Sequence, residues 1–205
     1  MCLPAPGEKP LAKITILDND TKPKRARVLW PKEKEGMSVS GTRTWWMDGW
    51  RTDAGIVRAA VVCVNGDGWT GFGSYLGMER MDEFDAELRA IRVAHQKSVA
   101  QAEPLRAHRV TTVVVCSDLQ AATRWMAHLD PGPGQQLARA INEAARTVHA
   151  QGIDLVINWV LGHSGIPGND EADHKAKQAR EGRGITVHEH IYISAAIRAR
   201  RIVEA

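Results

Sequence analysis

Three closely spaced segments have the apolar, β-branched and aromatic composition of β-strands. They are TRTWWMD at 42–48, IVRAAVVCV at 56–64 and WTGFGSYLG at 69–77, with the turn sequence NGDG at 65–68 before the last. Parallel neighbours would need a crossover connection, and these links are too short to supply one. The pattern therefore predicts an antiparallel three-stranded meander.

The remainder of the chain alternates helical periodicity with continuous apolar runs. Helices are predicted at 83–100, about 119–129, 135–150 and about 170–180, and the strands VTTVVVCSD and IDLVINWV lie at 110–118 and 153–160. Uninterrupted apolar strands are typical of a sheet that is covered on both faces. The order β-β-β-α-β-α-α-β-α predicts an α/β fold: a five-stranded mixed sheet, with three antiparallel and two parallel strands and helices on both faces.

Composition places the chain among ordinary globular proteins. It has 205 residues, of which 43% are hydrophobic and 25% charged. No apolar run approaches the length of a membrane span, and the first residues lack the layout of a secretory signal. Cys63 and Cys116 lie in apolar runs and are predicted to be buried thiols. We therefore expect an intracellular protein of the cytoplasm or nucleus, neither secreted nor bound to a membrane.

The net charge of +3 is unevenly distributed. Residues 1–41 carry eight basic and five acidic side chains, so we interpret them as a flexible basic arm in which ITIL at 14–17 forms a local strand or an anchor. A domain at 42–182 contains fifteen basic and seventeen acidic residues, and a basic tail lies at 183–205. An acidic domain between basic flanks suits a polyanionic partner only if some of its carboxylates hold cations.

Acidic residues recur where predicted strands end or helices begin: Asp48, Glu87, Asp118 and Asp173. Ligand sites of open α/β sheets lie beyond the carboxyl ends of strands, so these side chains are candidates to converge there. A set of carboxylate oxygens suits Mg²⁺ or Mn²⁺. Taken singly, Glu87 could instead be a helix N-terminal charge and Asp118 an N-cap.

Five segments of the chain, across about 44–181, resemble a type 1 ribonuclease H domain. They are WWMDGWRTDAG, DEFDAELRAIRVA, CSDLQAA, LDPGPGQ and WVLGHSGIPGNDEADHKAKQA, in that order. The last is long and specific, and more narrowly the set is similar to the C-terminal RNase H domain of non-LTR retrotransposon polyproteins. The closing segment IRARRIVEA resembles the stretch of chain after that domain in such polyproteins.

The resemblance implies the RNase H-like fold and endonucleolytic hydrolysis of the RNA strand of RNA–DNA hybrids. It implies that Asp48, Glu87, Asp118 and Asp173 are catalytic and hold two Mg²⁺ ions, with Mn²⁺ as a possible substitute. Two such ions stabilise the attacking and leaving oxygens of an in-line displacement. It further implies that His163, on a loop with Gly162 and Gly165, assists proton handling or product release.

Substrate contacts are expected beside the proposed ligands. Ser117, Gln120 and Asn169 are candidate donors to the 2′-hydroxyls that distinguish RNA from DNA, although Asn169 could instead cap the last helix. Arg124 and the basic flanks could meet phosphates, which position a nucleic acid without specifying its sequence. The resemblance also implies a reverse transcriptase module in a longer parent polyprotein, and we expect a monomer.

One position departs from the family pattern. The family has T-D-G-S around the first aspartate, whereas this chain has Met47-Asp48-Gly49-Trp50. Trp50 could obstruct the substrate, stack on a nucleotide or point to solvent. This departure leaves open a catalytically impaired hybrid- or RNA-binding module. A related transferase or exonuclease is a further alternative, because the same fold hosts several functions. Trp45 and Trp46 are predicted to enter the core on opposite faces of their strand.

Overall fold

The computed structural model describes residues 12–15, 41–65, 68–78, 82–126 and 135–179. The rest of the predicted arm, the tail at 183–205 and the DPGPG segment at 130–134 lie outside the described residues. The described strands are β1 Lys13–Thr15, β2 Thr42–Arg51, β3 Ile56–Asn65, β4 Gly68–Met78, β5 Thr112–Ser117 and β6 Asp154–Trp159.

These strands form one mixed sheet in the order β1-β6-β5-β2-β3-β4. β2, β3 and β4 make the expected antiparallel meander, and β5 and β6 run parallel to β2. The α/β prediction is confirmed, but the sheet has six strands because β1 pairs parallel with β6. The additional strand, β1, is too short for its sequence pattern to distinguish it from an isolated apolar segment. Only its pairing with β6 defines it as a strand.

All four predicted helices are present, and the described residues also contain a short fifth one. The described helices are α1 Glu83–Ala100, α2 Ala102–Ala107, α3 Gln120–Met126, α4 Gln135–His149 and α5 Pro167–Gln178. Pro104 has no N–H to donate to the carbonyl of Ala100, so α1 ends there and α2 starts anew. None of the described helices combines the length and the apolar character that crossing a membrane would require.

The last helix begins three residues earlier than predicted. Pro-Gly-Asn is typical of a turn, yet Pro167 occupies the first helical position, where its missing N–H costs nothing. Gly168 and Asn169 therefore belong to the first turn of α5. Both are buried against the sheet.

The two faces of the sheet carry separate hydrophobic cores. Trp45 and Met47 point to the face covered by α1, α3 and α4, whereas Trp46 points to the face covered by α5. Alternation along β5 likewise sends Val113 and Val115 to the first core and Cys116 to the second. The predictions of opposed tryptophans and of buried Cys63 and Cys116 thiols are confirmed.

The register of β2 opens the sheet beside Asp48. β5 pairs with β2 only as far as Trp46, while β3 continues alongside β2 to Arg51. The strand therefore does not end at Asp48, contrary to the expectation. Asp48 instead lies where β2 has lost one of its two neighbours, next to the carboxyl end of β5.

Candidate active site

Glu87 is a fully buried carboxyl group in the second turn of α1. The Ser117 hydroxyl donates to its Oε1 at 2.5 Å, and the backbone N–H of Gly49 donates to the same carboxylate. Burial raises the pKa of Glu87 well above its usual range; the charges of Asp118 and Asp48 add to this, and the two hydrogen bonds oppose it. A Cβ at Gly49 would overlap the backbone of Glu87, so only glycine lets α1 approach β2 so closely.

Asp118 directly follows β5 and points to the opposite face from Ser117. Its Oδ2 accepts a 3.1 Å hydrogen bond from Nδ2 of Asn169, and its backbone carbonyl accepts one of 2.8 Å from the Trp159 indole. Burial raises the pKa of Asp118 and the Asp173 charge adds to the rise, while the Asn169 hydrogen bond and the charge of His163 lower it. Gly162 lies against the carboxylate, where a Cβ would overlap it.

Asp48 is buried on β2, and its Oδ2 has no hydrogen-bond partner among the described residues. Burial, followed by the charges of Asp118 and Asp173, raises the pKa of Asp48 to about 7, although Lys177 lowers it. A buried carboxylate oxygen without a donor is costly in a metal-free protein. This oxygen is therefore the clearest indication of a cation site.

Asp173 lies in the middle of α5 and is partly exposed. Its Oδ2 forms a 2.7 Å ion pair with the ammonium of Lys177, one helical turn further on. The Asp173 charge nevertheless contributes to the raised pKa of both Asp48 and Asp118. The four acidic residues thus share one electrostatic environment, which we call the carboxylate cluster (Asp48, Glu87, Asp118 and Asp173).

The residues fit divalent cations in chemistry, although their side chains are not yet arranged around one. Within the described ranges, no group of three or more His, Cys, Asp or Glu side chains could hold a metal ion as it stands. An all-oxygen donor set with an unpartnered buried oxygen still suits hard cations such as Mg²⁺ or Mn²⁺.

A family model for RNase H matches residues 42–181, more than half of the chain. The chain belongs to the RNase H family. This membership identifies it as a ribonuclease H enzyme and agrees with the resemblance noted from the sequence. No match to the sequence was found among the curated proteins.

Several solved RNase H structures are similar to the chain. RNase H1 of the halophilic archaeon Halobacterium salinarum is 20% identical, with a TM-score of 0.48 over 68% of this chain and 97% of that one. The N-terminal RNase H domain of a Mycobacterium tuberculosis protein, solved as a fusion with maltose-binding protein, is 14% identical, with a TM-score of 0.49 over 67% and 98%. The foamy viral protease–reverse transcriptase, in complex with RNA/DNA hybrid, is 16% identical, with a TM-score of 0.45 over 68% of this chain and 20% of that one.

The loop of this RNase H domain between β6 and α5 exposes His163. The residue has a φ of 50°, in the left-handed region, and its charge reaches Asp118. Ser164 and Gly165 come next, and the Ser164 hydroxyl donates to the carbonyl of Leu161 at 2.6 Å. The imidazole is therefore beside the carboxylate cluster and accessible from solvent, where a mobile proton carrier is useful.

The three candidate substrate donors have different surroundings. Ser117 is fully buried, and its hydroxyl donates to the carboxylate of Glu87. Asn169 is also buried; its amide nitrogen donates to Asp118, and its Oδ1 has no partner among the described residues. Gln120 begins α3 and is partly exposed, and Arg124 is exposed on the same helix.

Two cationic residues that contact α5 or its side chains were not singled out from the sequence. Lys177 could have been found, because it lies four residues after Asp173 on a helix. Arg58 could not have been found in this way, because its relation to β2 and α5 comes from the pairing of β3 with β2 and from a hydrogen bond to the Lys177 carbonyl. Neither relation leaves a local pattern in the sequence.

Proposed function

We propose that the RNase H domain is a divalent-metal-dependent endoribonuclease that hydrolyses the RNA strand of RNA–DNA hybrids. The observation that carries the proposal is the carboxylate cluster, in which burial, and after it the neighbouring acids, raise the pKa of Asp48, Glu87 and Asp118, and in which one oxygen of Asp48 has no hydrogen-bond partner among the described residues. Like charges in this density are stable as ions only beside cations. Family membership supplies the reaction class.

In this proposal Asp48, Glu87, Asp118 and Asp173 hold two divalent ions, Mg²⁺ or in its place Mn²⁺. When bound, such ions stabilise the attacking and leaving oxygens of an in-line displacement at phosphorus. Ser117 and Gly49 fix the orientation of Glu87, and Asn169 fixes that of Asp118. His163 is exposed beside Asp118, where it moves a proton at the reacting phosphate or eases product release.

The wider setting is also a proposal. The motifs support origin in a non-LTR retrotransposon polyprotein that includes a reverse transcriptase, with a hybrid-cleaving domain at 42–182 between basic flanks. We propose that it acts as a monomer in the cytoplasm or nucleus. We propose that Gln120, Asn169 and Arg124 contact the hybrid, and that Ser117 acts through Glu87.

Cleavage of a labelled hybrid during a Mg²⁺ titration tests the proposal. Wild type should cut the RNA strand internally, and neither the matched RNA nor the matched DNA duplex should be cut. Asp48→Asn should abolish cleavage, whereas Asp53→Asn, in the exposed turn after β2, should cleave as wild type does. Full activity of Asp48→Asn would overturn the assignment, and products consisting only of terminal nucleotides would indicate an exonuclease.

A second candidate function is a hybrid-binding module with impaired catalysis. Two observations favour it: Trp50 occupies a position where the family has serine, and Asp173 is paired with Lys177. It predicts hybrid binding that weakens with salt and no RNA cleavage at any Mg²⁺ or Mn²⁺ concentration. The same titration therefore separates the two functions.

A further inference from the structure

Arg58 connects the strand that carries Asp48 with the helix that carries Asp173. It lies opposite Trp50 in the β2–β3 pair, and its guanidinium carbon is 5.3 Å from the centroid of the Trp50 ring. Its Nη1 donates a 2.7 Å hydrogen bond to the backbone carbonyl of Lys177, in the last turn of α5. One side chain thus contacts two elements of the site.

The carbonyl that Arg58 reaches is one that a helix cannot satisfy itself. The last four carbonyls of an α-helix have no intrahelical donor, and a cation there also interacts favourably with the helix dipole. The same end of α5 rests on β4, because a Cβ at Gly73 would lie 3.1 Å from the Lys175 carbonyl and from the Ala179 Cβ. Arg58 therefore caps a helix end that is closely packed on the sheet.

Trp50 lies beside the guanidinium of Arg58, a residue that is partly exposed. The Nε of Arg58 is buried and has no acceptor among the described residues. The Lys177 carbonyl therefore accepts only one of the hydrogen bonds that the guanidinium can donate. An indole face attracts a guanidinium within about 6 Å of its centroid. Trp50 itself is not among the described side chains that pack against either hydrophobic core. Its ring is instead in contact with the guanidinium of Arg58.

Lys177 extends this connection to Asp173. Its backbone carbonyl accepts from Arg58, and its side chain pairs with the Asp173 carboxylate at 2.7 Å. Asp48 lies two residues before Trp50, on the same face of β2. A continuous set of contacts, Trp50–Arg58–Lys177–Asp173, therefore connects the strand of one carboxylate with the side chain of another.

We propose that Trp50 and Arg58 are a positioning pair that fixes the last turn of α5, and through it Asp173, relative to Asp48. The inference rests on the proposed function, because it takes Asp173 as a metal ligand. Trp50 then neither obstructs substrate nor stands free in solvent. It replaces the small hydroxyl residue of the family pattern with an anchor for Arg58.

The test measures helix-end opening and metal affinity, neither of which requires cleavage. In Arg58→Met and Trp50→Ala, backbone amides at 176–179 should exchange hydrogen about tenfold faster, because the capped turn frays. Mn²⁺ binding, measured by calorimetry, should weaken by about three- to tenfold, since Asp173 loses its fixed position. Arg58→Lys and Trp50→Phe, which keep a cation and a ring, should lie closer to wild type.

Controls separate positioning from general destabilisation. Trp69→Ala removes an exposed tryptophan at the far end of β4, and Arg106→Met removes an exposed arginine of α2; both should match wild type. In an Asp173→Asn background, Arg58→Met should not weaken Mn²⁺ binding further, whereas a general loss of stability would act in both backgrounds. If Arg58→Met does not fold, the variants Trp50→Ala and Trp50→Phe provide the same comparison.

Unchanged exchange in both Arg58→Met and Trp50→Ala, or unchanged Mn²⁺ affinity despite faster exchange, would overturn the inference. A wild type that binds Mn²⁺ in the expected Arg58-dependent manner but cleaves no hybrid would overturn the proposed function and leave the positioning pair standing. A wild type that binds no Mn²⁺ would contradict both.

Discussion

The Ser117 hydroxyl donates a 2.5 Å hydrogen bond to Glu87, and both side chains are fully buried. The bond joins the last residue of β5 to the second turn of α1, so it aligns a helix with the strand beside it. It also opposes the burial and the neighbouring charges that raise the pKa of Glu87. Ser117 thus favours the ionised form of a carboxyl group that its surroundings would keep protonated.

Ser117→Ala should therefore shift the pH dependence of cleavage. Loss of a hydrogen bond to a charged group costs about 1.5–3 kcal/mol, which corresponds to about a tenfold or larger loss of activity at pH 7. Because the pKa of Glu87 rises further, activity should recover in part as the pH is raised toward 9. Ser98→Ala is the matched control on the same helix. It removes a buried hydroxyl that donates to the Ala94 carbonyl and accepts from the Trp45 indole, so it should reduce stability without moving the pH profile.

The metal-free domain should become less stable as the pH rises from about 4 to 8. Burial raises the pKa of Asp48 to about 7, from an ordinary value of 3.8, so the folded state holds a proton that the unfolded state has released. This proton stabilises the folded state fully at a pH below the pKa of Asp48 in the unfolded chain. The stabilisation is lost as the pH rises through the pKa of Asp48 in the folded protein, and for Asp48 alone the loss is at most about 4 kcal/mol. Thermal unfolding across this range in EDTA, comparing wild type with Asp48→Asn, measures the slope.

Asp48→Asn should make that pH dependence less steep, because an amide does not titrate, while the raised pKa values of Glu87 and Asp118 still contribute to it. Mg²⁺ should flatten it in wild type as well, since a cation stabilises the ionised carboxylates. Equal slopes for wild type and Asp48→Asn in EDTA would show that Asp48 titrates in the folded protein as it does in the unfolded chain.

Chelation should weaken hybrid binding independently of cleavage. The domain at 42–182 has fifteen basic and seventeen acidic residues, so two divalent ions would reverse the sign of its net charge. Affinity for a non-cleavable hybrid, measured by fluorescence anisotropy, should fall at least about tenfold in EDTA relative to Mg²⁺ at constant ionic strength. Equal affinity in EDTA and in Mg²⁺ would show that the metal ions act only in the cleavage reaction and not in hybrid binding.

Gly168 should tolerate no side chain, since a Cβ there would overlap the Trp46 ring. Gly168→Ala is expected to destabilise the domain by about 1–3 kcal/mol, because the indole or the first turn of α5 must move. Gly68→Ala is the matched control: its Cβ would meet nothing within 4 Å, and the expected change is within about 0.5 kcal/mol. Urea unfolding measures both, and equal effects would contradict the close packing of α5 on β2.

Periodicity predicted the meander, the two parallel strands and four helices, because each depends on residues that are near one another in the chain. It failed at the start of α5, where Pro-Gly-Asn has the composition of a turn but packs as helix. The periodicity also predicted that β2 ends at Asp48. The strand continues to Arg51, and the sheet opens at Asp48 because β5 is no longer paired with β2 there.

The sequence by itself determined the family and predicted the four carboxylates and the loop histidine as site residues, since these lie in contiguous motifs whose residue types carry the chemistry. Only the tertiary structure decided how the site is supported. Ser117 faces Glu87 instead of solvent because alternation along β5 directs it to α1. Arg58 reaches both Trp50 and the end of α5 through strand register and helix packing, which join residues 119 positions apart. Contacts at such separations depend on the assembled sheet, and no local pattern of residues encodes them.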